Sequence, residues 1–237
     1  MSGLLDHAEG DGSDCHLVVL FKLERFLGRG LFLGLIGLYV LNLRTMKPKV
    51  GIIGKGNVGS ALRRGLERSG YEVKSVGRDP GGVKELAAWG DVLILAVPFL
   101  AVDQVVREIG ERAKGKVLVD VTNPLGGDSL AIGFTTSAAE ELQKKAPGAK
   151  VVKAFNTIFA QNMDSGRVKN EKITLLASGD DAQAKAKTLE LARDIGFDAV
   201  DAGPLKNARW LETLGFLNIQ LGYGLKMGPQ IGFKLVR

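Results

Sequence analysis

The chain has 237 residues, 45% of them hydrophobic, enough for one α/β domain with a substantial core. Its formal net charge is +6; residues 1–45 carry a net −1, so the positive excess lies in the body, spread along it without the basic–aromatic clustering that reads nucleic acid. Both histidines, His7 and His16, and the single cysteine, Cys15, fall in the first 16 residues, which excludes Cys/His metal centres, disulfides, a thiol nucleophile and a histidine acid–base from the body.

Residues 1–45 differ in character from the rest. Residues 1–16 are polar, rich in Asp, Gly and Ser, and read as disordered. Leu31 to Leu43 is an apolar run flanked by Arg29 and Arg44; at 13 residues it falls short of the roughly 20 that span a bilayer. It has a basic flank but no small-residue cleavage site. Three readings compete: a membrane-tethering segment, a helix docked on the body, or upstream sequence foreign to the native protein. Met46 stands just before the first strand of the body, so the expected domain is 46–237, with no membrane partner unless the 31–43 run is native and exposed. A lone cysteine in the leader suits a reducing cytoplasm.

The body opens with an apolar strand, Val50 to Ile53, that runs into Gly54-Lys55-Gly56-Asn57-Val58-Gly59 and then a helix through Arg68. Strand, G-x-G-x-x-G and helix together read as a dinucleotide site, where the glycines alone would also fit a structural turn. Gly54 permits the tight turn, Gly56 lets backbone approach a pyrophosphate, and Gly59 lets helix pack on strand. The helix N-terminus offers free N–H groups to the phosphates.

Tyr71 to Val76 is the second strand and ends in Gly77-Arg78-Asp79-Pro80. An NAD site places a carboxylate here for the ribose, and an NADP site an arginine. Gly77 occupies the carboxylate position and Arg78 follows, with Lys84 one turn into the next helix as a second cation, so the expected cofactor is NADP(H). The alternative leaves Arg78 in solvent and gives the ribose to Asp79.

Strand and helix then alternate: helix Gly82–Trp89, strand Asp91–Val97, helix Leu100–Ile109, strand Lys116–Val121, a small-residue loop Gly133–Ser137 and helix Ala138–Lys145. Strands Lys150–Ala154 and Ile173–Ala177 follow, then Gly179-Asp180-Asp181 capping helix Ala182–Ile195, strand Phe197–Val200, and a helical remainder from Leu205 to Leu225. This predicts a Rossmann-type, doubly wound, mostly parallel α/β sheet with helices on both faces and a small C-terminal helical region. Ligands of such sheets bind at the carboxyl ends of the strands. The expected cofactor contacts there are Ala96, Val97 and Pro98 after the third strand, Thr122, Asn123 and Pro124 after the fourth, and Ala154, Asn156 and Thr157 after the fifth. Each Asn fits a turn, but as a pair they can hydrogen-bond carboxamide or flavin-type ring edges without charge. A body without His suits hydride transfer between two redox cofactors, whose rings carry the chemistry.

Several segments resemble the coenzyme F420-dependent NADP oxidoreductases: Val121-Thr122-Asn123-Pro124-Leu125, Ala138-Ala139-Glu140-Glu141-Leu142 and Val151-Val152-Lys153-Ala154-Phe155-Asn156-Thr157. So do Gly179-Asp180-Asp181-Ala182 with Ala184-Lys185, Ile195-Gly196-Phe197, Asp201-Ala202-Gly203-Pro204-Leu205, Ala208-Arg209 and Leu211-Glu212. The likeness runs in order over essentially the whole body; the leader has no counterpart. The resemblance implies direct hydride transfer between NADPH and an 8-hydroxy-5-deazaflavin, with no catalytic side chain, the glycine turn and Arg78 holding NADP, and a homodimer. Gly77 stands where the family often has Ser or Thr. Relatives with these motifs also resemble the cytosolic part of membrane ferric reductases, which makes FMN or FAD an alternative acceptor. The N-terminal half resembles pyrroline-5-carboxylate reductase and hydroxyacid dehydrogenases too, but only about 35 residues follow the last strand, too few for their helical domain. A non-catalytic NADP-sensing module is the reading from a different class.

Overall fold

The computed structural model describes residues 47–77 and 79–237; the leader and Arg78, with the expectations placed on them, lie outside the described residues. In chain order the elements are β1 (Val50–Ile53), α1 (Asn57–Arg68), β2 (Val73–Val76), α2 (Pro80–Trp89), β3 (Val92–Leu95), α3 (Val102–Ile109) and β4 (Val117–Asp120). A small hairpin follows, β5 (Leu125–Gly126) and β6 (Ser129–Leu130), then α4 (Ala138–Lys145), β7 (Lys150–Lys153) and the single turn α5 (Ala160–Met163). A second hairpin, β8 (Arg167–Val168) and β9 (Glu171–Lys172), leads to β10 (Thr174–Gly179), α6 (Ala182–Ile195), β11 (Asp198–Asp201) and α7 (Ala208–Ile219).

Seven strands form the main sheet in the order β11-β10-β7-β4-β3-β1-β2. The five from β2 to β7 are parallel, and all four residues of β1, β3 and β4 are buried, which is why those strands read as unbroken apolar runs. Only the last two residues of β10 pair with β7, and they do so antiparallel, so β10 and its parallel neighbour β11 run the other way.

Period-two alternation sends neighbouring strand residues to opposite layers. Ile52 and Ile94 join Leu62 and Leu66 of α1 and Leu189 and Ala192 of α6. Ile53 and Leu95 join Val83 and Leu86 of α2, Ile109 of α3 and Leu142 of α4. The sheet is therefore covered on both faces, the doubly wound arrangement. Its caps follow the sequence: Asp79 accepts from Gly82 N (2.9 Å) with Pro80 opening α2, Ser137 accepts from Glu140 N, and Asp181 accepts from Ala184 N (2.8 Å).

At the amino side of the sheet, Lys47 Nζ donates to Asp194 Oδ2 (2.6 Å) and to the Ser69 carbonyl (2.7 Å), and the Tyr71 hydroxyl donates to the same carboxylate. At the other side, Ile53, Leu95, Asp120 and Lys153 stand opposite one another in a single row across four strands. Every expected strand-end contact lies one to four residues beyond that row.

Candidate functional site

The glycine turn leaves β1 at one end of this row. Gly54 sits at φ +122°, a conformation L-residues rarely adopt, and a Cβ there would overlap the Ala96 carbonyl; a Cβ on Gly59 would overlap the Gly54 carbonyl. Gly56 differs. Its backbone is ordinary (φ −72°, ψ −171°), and a Cβ on it would meet nothing within 4 Å. Gly54 and Gly59 are thus required by the turn itself, whereas Gly56 faces open space in which a phosphate can lie against backbone. Lys55, Gly56 and Asn57 are exposed, and Val58 packs on the core. The α1 N-terminus has no side-chain cap and no acidic residue in its first turn, so its N–H groups remain free for an anion.

Beside the turn, the exits of β2 and β3 enclose a cavity of about 360 Å³ lined by Gly77, Val97, Pro98, Ala101, Gln104 and Glu108 among others. The structure so brings together Gly77, Val97 and Pro98, while Lys84 stands exposed on α2 and does not line the cavity. Asp79, the alternative ribose ligand, is engaged as the cap of α2.

The exits of β4 and β7 are tied to each other and to α7. Asn123 Nδ2 donates to the Asn156 carbonyl (2.9 Å), and Asn156 Nδ2 donates to Asn123 Oδ1 (3.1 Å) and to the Leu211 carbonyl (2.7 Å). Asn218 Nδ2 donates to the Thr157 carbonyl. The two asparagines therefore bind each other, and each side-chain amide nitrogen already donates within the protein. Three buried side-chain atoms among the described residues have no hydrogen-bond partner: Thr122 Oγ1, Asn156 Oδ1 and Ser178 Oγ. Two of the three are expected contact residues at neighbouring strand exits, and a ring edge with an N–H donor is what such acceptors take. The open cradle at Gly56 and these orphaned atoms both fit a dinucleotide laid across the strand ends. Phe155, between Ala154 and Asn156, is held at φ +63° with its ring buried edge-on against Phe197. A left-handed conformation in a bulky residue stores strain, and such strain concentrates at functional sites.

Below these loops lies a cluster that sequence reasoning did not single out. Lys153 is wholly buried, and its ammonium pairs with Asp120 (2.9 Å) and Glu212 (3.0 Å). Burial works against the charged lysine, but the attraction of the two carboxylates outweighs it and holds the ammonium above the usual lysine range. A lysine inside Val151-Val152-Lys153-Ala154 and an aspartate closing Val117-Leu118-Val119-Asp120 were visible signals of a buried ion pair; the partner on α7 was not.

Residues 49–124 match the family model described as NADP oxidoreductase coenzyme F420-dependent. The F420-dependent NADP reductase of Methanocaldococcus jannaschii is 30% identical over 171 residues, covering 68% of this chain and 74% of that protein. A solved structure from Arthrobacter sp. FB24, assigned to the F420-dependent NADP reductases, superposes with a TM-score of 0.73 at 29% identity, covering 80% of this chain and all of that one. Metalloreductase STEAP3 of Rattus norvegicus is 33% identical over 180 residues, or 70% of this chain, but this chain spans only 36% of that relative's length. A family-model match that takes in the glycine turn and the exits of β2, β3 and β4, beside a reductase 30% identical over three quarters of its own length, decides the matter: the chain belongs to the family of F420-dependent NADP oxidoreductases.

Proposed function

We propose that the protein binds NADP(H) along the strand exits and passes hydride directly between the nicotinamide and an 8-hydroxy-5-deazaflavin, coenzyme F420. The observation that carries this reading is the row of exits: the open glycine cradle on β1, the cavity beside β2 and β3, and the joined loops of β4 and β7 follow one another along a single sheet edge. Two bound ring systems supply the redox chemistry, two electrons and a proton moving as hydride and the balancing proton coming from solvent. The chain's part is placement. Gly54 to Gly59 seat the pyrophosphate on α1, the cavity at Gly77, Val97 and Pro98 takes the adenosine half, and the Thr122–Pro124 and Ala154–Thr157 loops bound the ring end. Holding two rings in reacting geometry replaces an improbable encounter and needs no side-chain acid.

The 2′-phosphate falls to Arg78, with Lys84 as a second cation. Arg78→Ala should weaken NADPH binding by about 1.5–3 kcal/mol, the range for hydrogen bonds to a charged group, and leave NADH binding nearly unchanged. Equal losses for both cofactors would remove Arg78 from the site.

Similarity to a metalloreductase favours a second reading in which FMN or FAD takes the hydride and a metal ion lies downstream. Purified protein given NADPH with coenzyme F420, FMN or FAD decides between them: the acceptor that drives rapid NADPH oxidation is the partner, and binding without turnover on any acceptor leaves the sensor reading. We further propose a cytoplasmic homodimer. Trp210 and Leu217 on α7, with Tyr223 beyond it, present exposed apolar surface that a second copy would cover, and the molar mass in solution by light scattering reads the outcome.

A further inference from the structure

We propose that Lys153 is a positioning residue for this reaction: clamped between Asp120 and Glu212, it locks the β4 exit loop to the C-terminal helix and so sets where Thr122 and the asparagine pair stand at the ring end of the site. The inference rests on the hydride-transfer reading above. Every donor on the ammonium is used, by Asp120 Oδ2 (2.9 Å), Glu212 Oε1 (3.0 Å) and the Thr122 carbonyl (2.6 Å). A group with no free N–H and no exposure has nothing to offer a substrate, so its action must pass through the groups it holds.

Those groups converge on one residue. Asp120 Oδ1 accepts from Thr122 N (2.9 Å) while Lys153 holds the Thr122 carbonyl, so both backbone handles of Thr122 are fixed by the same ion pair. On the other side Glu212 accepts from Ala138 N (2.9 Å) and Ala139 N (3.3 Å), the first turn of α4, which anchors the carboxylate independently of the lysine. One turn further along α7, a Cβ on Gly215 would stand 2.5 Å from Asn123 Oδ1 and 2.7 Å from Asn156 Nδ2, so the helix lies directly against the asparagine pair. Thr122, Asn123 and Asn156 are thus set by a charge cluster buried beneath them rather than by contacts with solvent-exposed neighbours.

The test replaces the cluster by neutral groups of similar shape. Lys153→Met alone leaves two buried carboxylates unpaired and is open to misfolding; the triple variant Asp120→Asn/Lys153→Met/Glu212→Gln keeps an acceptor for Thr122 N and for Ala138 N while removing every charge. Asp194→Asn, at the amino side of the sheet, serves as the control for lost stability. In the triple variant, NADPH affinity should stay within about threefold of wild type. Single-turnover hydride transfer at saturating acceptor should fall at least tenfold, with a larger deuterium isotope effect, while Asp194→Asn changes neither. A folded triple variant with wild-type rate and isotope effect overturns the proposal. Amide exchange gives a readout that needs no acceptor: Thr122 should lose at least tenfold protection in the triple variant, and unchanged protection also overturns it. If the wild-type protein oxidises NADPH with no acceptor, the functional reading falls on its own, and exchange at Thr122 still decides whether the clamp sets the loop.

Discussion

At the residue scale, three glycines that look alike in the motif have separate physical duties, and this makes them separable by mutation. Gly54→Ala places a side chain at φ +122° and against the Ala96 carbonyl. Left-handed strain alone costs about 1–3 kcal/mol, and the overlap adds to it, so the variant should lose stability outright. Gly56→Ala meets nothing within 4 Å in the protein and has unstrained backbone. Its stability should change by about 0.5 kcal/mol or less, as at an ordinary surface position, while NADPH affinity falls at least about tenfold because the added methyl fills the space proposed for the pyrophosphate. Thermal melting and cofactor titration on the two variants check this directly. A Gly56→Ala protein with normal affinity would mean that the phosphates lie elsewhere.

At the element scale, α7 ties the exits of β4 and β7 from outside the sheet. Leu211, Glu212 and Asn218 each make a polar contact with them, and Arg209 grips Glu140 of α4 through two hydrogen bonds (2.8 and 2.7 Å). Asn218→Ala strips the buried Thr157 carbonyl of its donor from that side chain; leaving a buried acceptor unsatisfied costs about 1–3 kcal/mol, which urea unfolding would show. A loss below about 0.5 kcal/mol would indicate that α7 is not held at that point. The strands and long helices were legible in the sequence because burial on both faces leaves unbroken apolar runs, and because Asp181 and Ser69-Gly70 punctuate the helices. Hairpins of two residues per strand, exposed or half-buried, and the single turn Ala160–Met163 leave no periodicity to read. Nor does an apolar run encode the direction of a strand, so the reversal at β10 was not foreseeable. The same holds within the site. The glycine turn is local and could be read, but the pairing of Asn123 with Asn156 and of Lys153 with Glu212 joins residues far apart in the chain, and only the fold brings them together.

At the scale of the whole molecule, the described body begins its contacts at Lys47, whose ammonium reaches Asp194 and Ser69, and Lys49 N donates to Asp91 Oδ2. A protein lacking residues 1–45 keeps all of these. We therefore expect the truncated protein to fold and to bind NADPH as the full chain does; an insoluble product, or a loss of affinity, would assign the Leu31–Leu43 run to the core.

The charge pattern of the whole body also fixes its response to pH. Neither histidine lies in the body, so no imidazole titrates there near neutrality. Several carboxylates are held below their ordinary range: Glu140 by the hydrogen bond from Arg209, Asp181 by the Ala184 N–H at its helix cap and then by Lys150, and Asp194 by Lys47 and Tyr71 despite burial that acts the other way. A depressed carboxylate contributes stability that is complete above its unfolded value, about 4, and is lost as pH falls through the lower native one. Two groups shift upward. Burial and then the Asp194 carboxylate raise the Tyr71 phenol, and the Lys153 ammonium is raised by its two carboxylates against desolvation. Their contribution is complete below the unfolded values, about 10, and is lost as pH rises above them. Melting temperature should accordingly be flat between about pH 5 and 9, with an acid limb and an alkaline limb outside that window. Tyr71→Phe should make the alkaline limb shallower and leave the acid one in place, whereas Asp194→Asn should act chiefly on the acid limb. A melting temperature that changes steadily across the neutral range would contradict this assignment, because among the described residues no group with a shifted ionisation has the sign and position to produce it.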